Sequence, residues 1–272
     1  MIIADLIDWF EGWANPAWQE KWDNCGWQIE PGVLNQSARV LVCLTPTLAV
    51  IEEAIALQKA GTEVNLIFAH HPLIFNPLKS LRTGEAITEI TRLALGHQIG
   101  IYTAHTNFDQ VQEGTADILA TLLKLKQVTP IVPTGANLGY GRVGELNPTL
   151  TLAELLAQIQ TLLNPPSLII SPTADLEQTI DKVAVLGGSG ASYISEVVKT
   201  GAQAYLTSDC KFHQFQESRD RGLILIDAGH YATERPACKF LVTKLTALGL
   251  DWVNLSQKDE DFRYFFHQKK SV

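Results

Sequence analysis

Apolar runs of strand length alternate with amphipathic stretches of helix length along most of this chain. The opening "MIIADLIDWFEGWA" sets Ile2, Ile3, Leu6, Ile7, Phe10 and Trp13 at helical spacing, which predicts an amphipathic N-terminal helix. Further on, "ARVLVCLTP" (38–46) precedes the helical "TLAVIEEAIALQKAG" (47–61). "EVNLIFAHH" (63–71) precedes a helical stretch around 84–97, and "IGIYTAHT" (99–106) precedes another at 115–125. Several of these runs are apolar throughout, as suits strands of a sheet covered on both faces. The alternation predicts an α/β architecture.

The pattern breaks at "KQVTPIVPTGAN" (126–137), whose Pro, Thr and Gly read as a linker. A second α/β region follows: "GYGRVGEL" (139–146) as a strand, "TLAELLAQIQTLL" (151–163) as a helix, and "PPSLIISP" (165–172) as a strand. "DKVAVLGGSG" (181–190) is a strand with a glycine turn, and a helix is expected near 191–200. "AYLTS" (204–208) and "LILIDAGH" (223–230) are strands, and a helix is expected from about 234 to 248. The expected organisation is two α/β lobes, residues 1–125 with 230–272 and residues 126–229, each a mixed sheet flanked by helices.

Composition narrows the function classes. The 272 residues are 46% hydrophobic and 18% charged, a globular balance. A net charge of −8 argues against a general nucleic-acid binder, which shows a basic face. It leaves room for an anionic small molecule, because metal ions reverse a local field. The N-terminus carries Asp5, Asp8 and Glu11 and lacks a basic leader and a long apolar stretch, so neither a signal peptide nor a membrane span is expected. The four cysteines form no C-x-x-C pair, which excludes a zinc–thiolate site or disulfide framework and fits reduced thiols in the cytoplasm.

Metal-competent residues gather at the ends of the apolar strands, where open α/β sheets bind ligands. In "NLIFAHHPLIF" (65–75), adjacent side chains of a regular strand would point to opposite faces. His70 and His71 face one place only if the strand ends there, which Pro72 favours. The alternative is one core histidine and one exposed. "AHTNFDQ" (104–110) ends a strand at His105 with Asp109 four residues on, either a ligand or an Asx turn. "IDAGHYATERPA" (226–237) puts His230 and Glu234 four apart, with Thr233 a possible N-cap and Pro236 in a first helical turn. There Glu234 also suits the helix dipole without any ligand. "LTSDCKFHQF" (206–215) offers Asp209 and His213, four apart and able to share a helix face, or an N-cap and a surface histidine.

Five of the seven histidines lie at or just past a strand end beside a carboxylate; His97 and His267 do not. His70, His71, Asp109, His230 and Glu234 give three nitrogens and two carboxylates, suited to zinc, iron, manganese, cobalt or nickel. Five ligands exceed a closed tetrahedral site and match two divalent ions that share a bridging carboxylate and keep positions open for water. "WDNCGWQIE" (22–30) offers Asp23, Asn24 and Gln28 for a cleft mouth, or a turn plugged by Trp27. "GGSGAS" (187–192) either receives a phosphate at a helix N-terminus or is a plain glycine turn.

In order along nearly the whole chain, "WDNCGWQI" (22–29), "AHHPLIF" (69–75), "AHTNFDQVQEGTAD" (104–117), "VLGGSGAS" (185–192), "LTSDCKFH" (206–213) and "DAGHYATE" (227–234) resemble the Nif-three-like family, NGG-interacting factor three. Its bacterial members are called GTP cyclohydrolase 1 type 2 homologues or dinuclear-metal-centre proteins. The resemblance implies two α/β lobes with two metals in the cleft between them, held by His70, His71, Asp109, His230 and Glu234, and a ring-like homohexamer. Longer members carry an inserted middle domain that this chain is too short to hold. The implied activity is a metal-dependent hydrolase acting on GTP or a related phosphorylated compound, with His105 orienting or shuttling a proton and Asp209 and His213 supplying acid or base. The alternatives are a non-enzymatic metal-binding or regulatory protein and a scaffold whose metals only stabilise the assembly. Ser208 departs from the glycine common in relatives.

Overall fold

A computed structural model describes residues 1–172 and 175–266. The first helix, α1 (Ile3–Trp13), buries Ile3, Leu6, Ile7 and Phe10, the stripe its apolar spacing foretells. Strands β1 (Gly26–Ile29) and β2 (Arg39–Cys43) follow. Helix α2 (Leu48–Lys59) starts where the Thr47 side chain accepts from the Val50 amide. Then come β3 (Leu66–Ala69), α3 (Ala86–Gly96), β4 (Gly100–Thr103) and the short α4 (Thr106–Gln110). Helix α5 (Thr115–Leu122) leads to the long strands β5 (Lys126–Gly135) and β6 (Leu138–Thr151). Helix α6 (Leu152–Leu163) opens on a capping box of Thr151 and Glu154 and closes on a left-handed Asn164. The chain continues through β7 (Ile169–Ile170), β8 (Thr179–Val185), α7 (Ile194–Lys199), β9 (Ala204–Thr207), α8 (Phe212–Asp220), β10 (Ile224–Asp227), α9 (His230–Ala247) and β11 (Trp252–Leu255).

Two compact units result, Met1–Val111 with Ala237–Asp259 and Gln112–Pro236 with Glu260–Val272. The first holds a five-stranded sheet in the order β1-β4-β3-β2-β11. Its four strands β4, β3, β2 and β11 are parallel, and β1 closes one edge antiparallel to β4. The second holds a six-stranded mixed sheet, β5-β6-β8-β9-β10-β7, in which only β8, β9 and β10 run parallel. Both sheets are flanked by helices, the mixed α/β architecture expected.

The expected edges shift in five places. Residues 126–135 are a strand rather than a linker, paired antiparallel with β6. Proline is tolerated there because β5 is an edge strand, where a missing backbone donor costs no ladder bond. The strand expected at 165–172 reduces to Ile169–Ile170. The first division of the chain falls at 111/112 rather than 125/126, because Leu119 and Ala120 of α5, with Leu123 just past its end, pack in one core with Leu152, Leu155 and Val183. The last division falls at 236/237, so His230 and Glu234 count with the second unit. Helix α9 itself starts at His230, four residues before the expected point, and Pro236 lies inside it rather than in its first turn.

Strand β3 shows why the site-bearing ends are rigid. Leu66, Ile67, Phe68 and Ala69 are all buried, so the strand is covered on both faces. The Phe68 ring meets Phe10 edge-on at 4.8 Å and Tyr102 at 5.3 Å between centroids. Phe68→Ala is therefore expected to cost about 3–5 kcal/mol, read as a lowered urea midpoint with unchanged slope. A loss below about 1 kcal/mol would refute this ring as a core anchor.

Candidate functional site

In the first unit the candidate residues sit just past the carboxyl ends of two neighbouring parallel strands, β3 and β4. Past Ala69 the chain stays bonded to its neighbour, with the His70 amide on the Cys43 carbonyl (3.2 Å) and the His71 amide on the Leu44 carbonyl (2.8 Å). His105 follows β4 and caps α4, which carries Asp109 in its first turn, so Asp109 is helical rather than in an Asx turn. The His70 ring lies 5.2 Å from those of His71 and His105, and His71 lies 5.6 Å from His105. Both adjacent histidines thus face one place. Each of the three rings offers one ligand atom, and these atoms all lie within 4.8 Å of one another. At metal–nitrogen distances of about 2 Å, such a group can close on an ion with small adjustments.

Each imidazole is aimed by a bond at its Nδ1. His70 Nδ1 lies 2.8 Å from the Ala104 carbonyl, which can only accept, so this nitrogen carries the proton. Its Nε2 then bears a lone pair and stands 3.6 Å from Asp109 Oδ1, with the imidazole almost fully buried. His71 Nδ1 meets Thr45 Oγ1 at 2.8 Å. His105 Nδ1 donates to Asp23 Oδ1 at 2.8 Å. Asp23 has no exposed side-chain surface. Burial works against its charge, but the His105 hydrogen bond and charge and the Thr106 and Asn24 bonds outweigh it, holding the carboxyl far below its ordinary range. Its Oδ2 accepts from the Thr106 hydroxyl (2.5 Å), the Thr106 amide (3.1 Å) and Cys25 Sγ (3.2 Å).

In the second unit the candidates again follow parallel strands, here β9 and β10. His230 and Glu234 stand one turn apart on α9, with His230 Nε2 2.8 Å from Glu234 Oε2. His230 Nδ1 contacts Asp209 Oδ2 at 2.6 Å. Asp209 follows β9 at a left-handed φ of 54°, ahead of α8 and not on it. It therefore shares no helix face with His213, which is exposed on α8. Thr233 is inside α9 rather than an N-cap; its hydroxyl donates to the Gly229 carbonyl (3.0 Å) and accepts from the Gly188 amide (3.0 Å).

The glycine loop after β8 is a seat for the His230 and Glu234 side chains. Gly188 has a left-handed φ of 67°, and a Cβ there would stand 2.0 Å from Glu234 Oε1. Its carbonyl accepts from the Ser208 amide (3.0 Å), the Ser208 hydroxyl (2.6 Å) and the Thr207 hydroxyl (3.1 Å). The Gly190 amide is bonded to Thr207 Oγ1 at 3.0 Å. The amides of Gly188 and Gly190 are thus spent on holding the loop against α9 and β9, and Ser208 adds a bond that glycine would lack.

Residues 1–260 match the family model described as Duf34/NIF3 (NGG1p interacting factor 3). The chain belongs to this family. A Nostoc protein named GTP cyclohydrolase 1 type 2 homolog is 73% identical over 98% of this chain and 99% of its own. One of the same name from Streptococcus pneumoniae is 31% identical over 93% and 91%. A crystal structure of a Staphylococcus aureus protein aligns with TM-score 0.84 at 27% identity, covering 97% of this chain and 99% of the other. A Bacillus cereus protein related to NIF3 aligns with TM-score 0.86 at 24% identity, covering 98% and 99%, and so supports the fold. Among the described residues of this Duf34/NIF3 chain, no helix is long and apolar enough to cross a membrane.

The oxygen partners of the imidazoles were the part that sequence reading missed. Asp23 and Asp209 were visible as acids in motifs, but nothing in their spacing paired them with His105 and His230, 82 and 21 residues away. His97 caps α3 and lies outside both groups. His267 lies outside the described residues.

The bond pattern around His230 sets a pH dependence. Burial alone would lower its pKa, but the Glu234 charge and the hydrogen bonds to Asp209 and Glu234 push it up to about 10 from an ordinary 6.5. A raised folded value gives stability that is full below pH 6.5 and is lost as pH rises through about 10. In chelator-treated protein, the urea midpoint is expected to fall between pH 6.5 and 10.5 by more in the native chain than in His230→Gln. Equal falls in both would refute the assignment.

Proposed function

We propose that this chain is a dinuclear-metal-dependent hydrolase acting on GTP or a related nucleotide. One observation carries the reading: His70, His71, His105 and His230 are each tied at Nδ1 to a protein oxygen, so each presents its other nitrogen in a fixed direction. Metal-ligating histidines are held in this manner, and a core histidine needs no such uniformity. The donor set fits a pair of divalent ions. His70 Nε2 and Asp109 Oδ1 are two acceptors facing each other across 3.6 Å, an arrangement that a cation or a proton between them makes favourable. The ligands in this reading are His70, His71, Asp109, His230 and Glu234. Zinc, iron, manganese, cobalt and nickel all suit nitrogen and carboxylate donors.

Paired ions of this kind supply a water of lowered pKa and polarise the attacked group. The chain's own residues do the rest. Asp23 fixes the tautomer of His105, whose Nε2 is then the atom that accepts or returns a proton. Asp209 fixes the ring of His230 and is spent on it, which assigns it an orienting part rather than the acid–base part expected with His213. The substrate class comes from the name borne by the Nostoc and Streptococcus relatives. A cytoplasmic homohexamer belongs to the same reading. A metal-binding interaction protein is the second reading, favoured by the family's description as an NGG1p interacting factor.

Metal analysis of the purified chain is expected to give two ions per chain, falling in His71→Ala and Glu234→Ala. With GTP, the loaded protein is expected to release formate with a change in purine absorbance. Nucleotide binding without turnover under any of the five metals would replace the first reading with the second. Unchanged metal content in both variants would overturn the ligand set.

A further inference from the structure

Two large aromatic side chains stand in solvent beside the first imidazole group. Trp22 is 56% exposed and Phe75 is 46% exposed. Their ring centroids lie 5.7 Å apart at a tilt of 45°. Trp22 meets His105 edge-on at 6.1 Å, and Phe75 does so at 6.5 Å. The three rings form one surface whose inner edge is the His105 imidazole.

This surface is braced from behind. Both backbone groups of Ile74, next to Phe75, are bonded to the segment that carries Trp22. Asn24 Nδ2 donates to the Ile74 carbonyl at 2.7 Å, and the Ile74 amide donates to Gln28 Oε1 at 2.9 Å. Gln28 is itself fixed, its Nε2 donating to the Asn24 carbonyl at 2.7 Å. The neighbouring Asp23 is anchored to Thr106 and His105. Two polar side chains thus fasten the loop that follows His71 to the loop that holds His105 in place. The result presents two apolar rings to water in a set position, although burial of their exposed faces would be favourable.

We infer that Trp22 and Phe75 form a stacking shelf for the planar heteroaromatic ring of the substrate, set against His105. The inference rests on the hydrolase reading and names the residues that grip its ring. The distances decide the mode. A ring held between two others needs two stacking intervals, at least about 9 Å between the outer centroids. At 5.7 Å and a 45° tilt, Trp22 and Phe75 leave no such slot. The ligand ring lies across their outer faces, with one edge toward the imidazoles. A shelf of this type recognises any flat ring, because every base has a π-face, and leaves discrimination to polar groups at its edge.

The test is calorimetric titration of guanosine, which carries the ring without phosphate, into the metal-loaded full chain and into Trp22→Ala, Phe75→Ala and Trp22→Phe. Ribose 5-phosphate serves as the ring-free probe. Both positions are exposed, and metal content together with the urea midpoint verifies folding in every variant. Guanosine is expected to bind about five- to 150-fold more weakly to either alanine variant and to be held by Trp22→Phe, with ribose 5-phosphate unaffected. Undiminished guanosine binding in both alanine variants overturns the shelf. So does a native chain that binds ribose 5-phosphate but not guanosine. A changed assembly mass in the alanine variants with guanosine binding intact would show that the rings meet a second copy of the chain, and also overturns it. GTP turnover with an unchanged KM in these variants removes the shelf and leaves the hydrolase reading standing. Shelf-dependent guanosine binding without turnover does the reverse.

Discussion

An imidazole has two nitrogens, and a protein that commits one of them decides where the other points. That constraint organises this chain. For His70 the committed bond goes to the Ala104 carbonyl, one residue past the end of the neighbouring strand. Ring direction at His70 therefore depends on the register in which Ala69 faces Thr103. A slip of one residue would turn every side chain of β3 to the opposite face and withdraw that carbonyl. The buried Phe10–Phe68–Tyr102 contacts forbid the slip, and so core packing and ring direction are one problem at this edge of the sheet.

The two units reach a similar end with different electrostatics. The rings of the first are held by a carbonyl, a hydroxyl and one carboxylate, beside a single further acid at Asp109. In the second, one imidazole stands between two carboxylates, Asp209 and Glu234. That field keeps a proton on His230 at neutral pH, where a cation would otherwise balance the charge. The backbone of the second unit is also more constrained, since Gly188 must take a left-handed turn directly beneath Glu234.

Strands whose neighbours cover both faces were legible in sequence because unbroken apolar runs have few other uses. "NLIFAHH" gave both the strand and its end, and Pro72 marked the turn. Edge strand β5 was not legible, since Pro130 and Pro133 carry the signature of a loop and only its place at the margin of the sheet makes them acceptable. The start of α9 was hidden by Gly229 before it and by Pro236, whose position inside a helix runs against the rule that reads proline as a first-turn residue. The membership of α5 could not be read either, because its apolar face meets partners some thirty to sixty positions away. Asp23 and Asp209, the acids that aim the rings, stand out in their motifs as acids, but their task depends on contacts no local spacing encodes.

Asp23 also decides how the frame around His105 behaves in acid. A carboxyl fixed by a histidine, a hydroxyl, a thiol and two amides keeps its charge deep into the acid range. The stability it contributes is present above its unfolded value of about 3.9 and fades only as pH falls through the far lower folded value. Mild acid, at about pH 5 to 6, lies well above that point. The bond network around His105 is thereby built to outlast mild acid: the carboxylate that anchors the frame keeps its charge there.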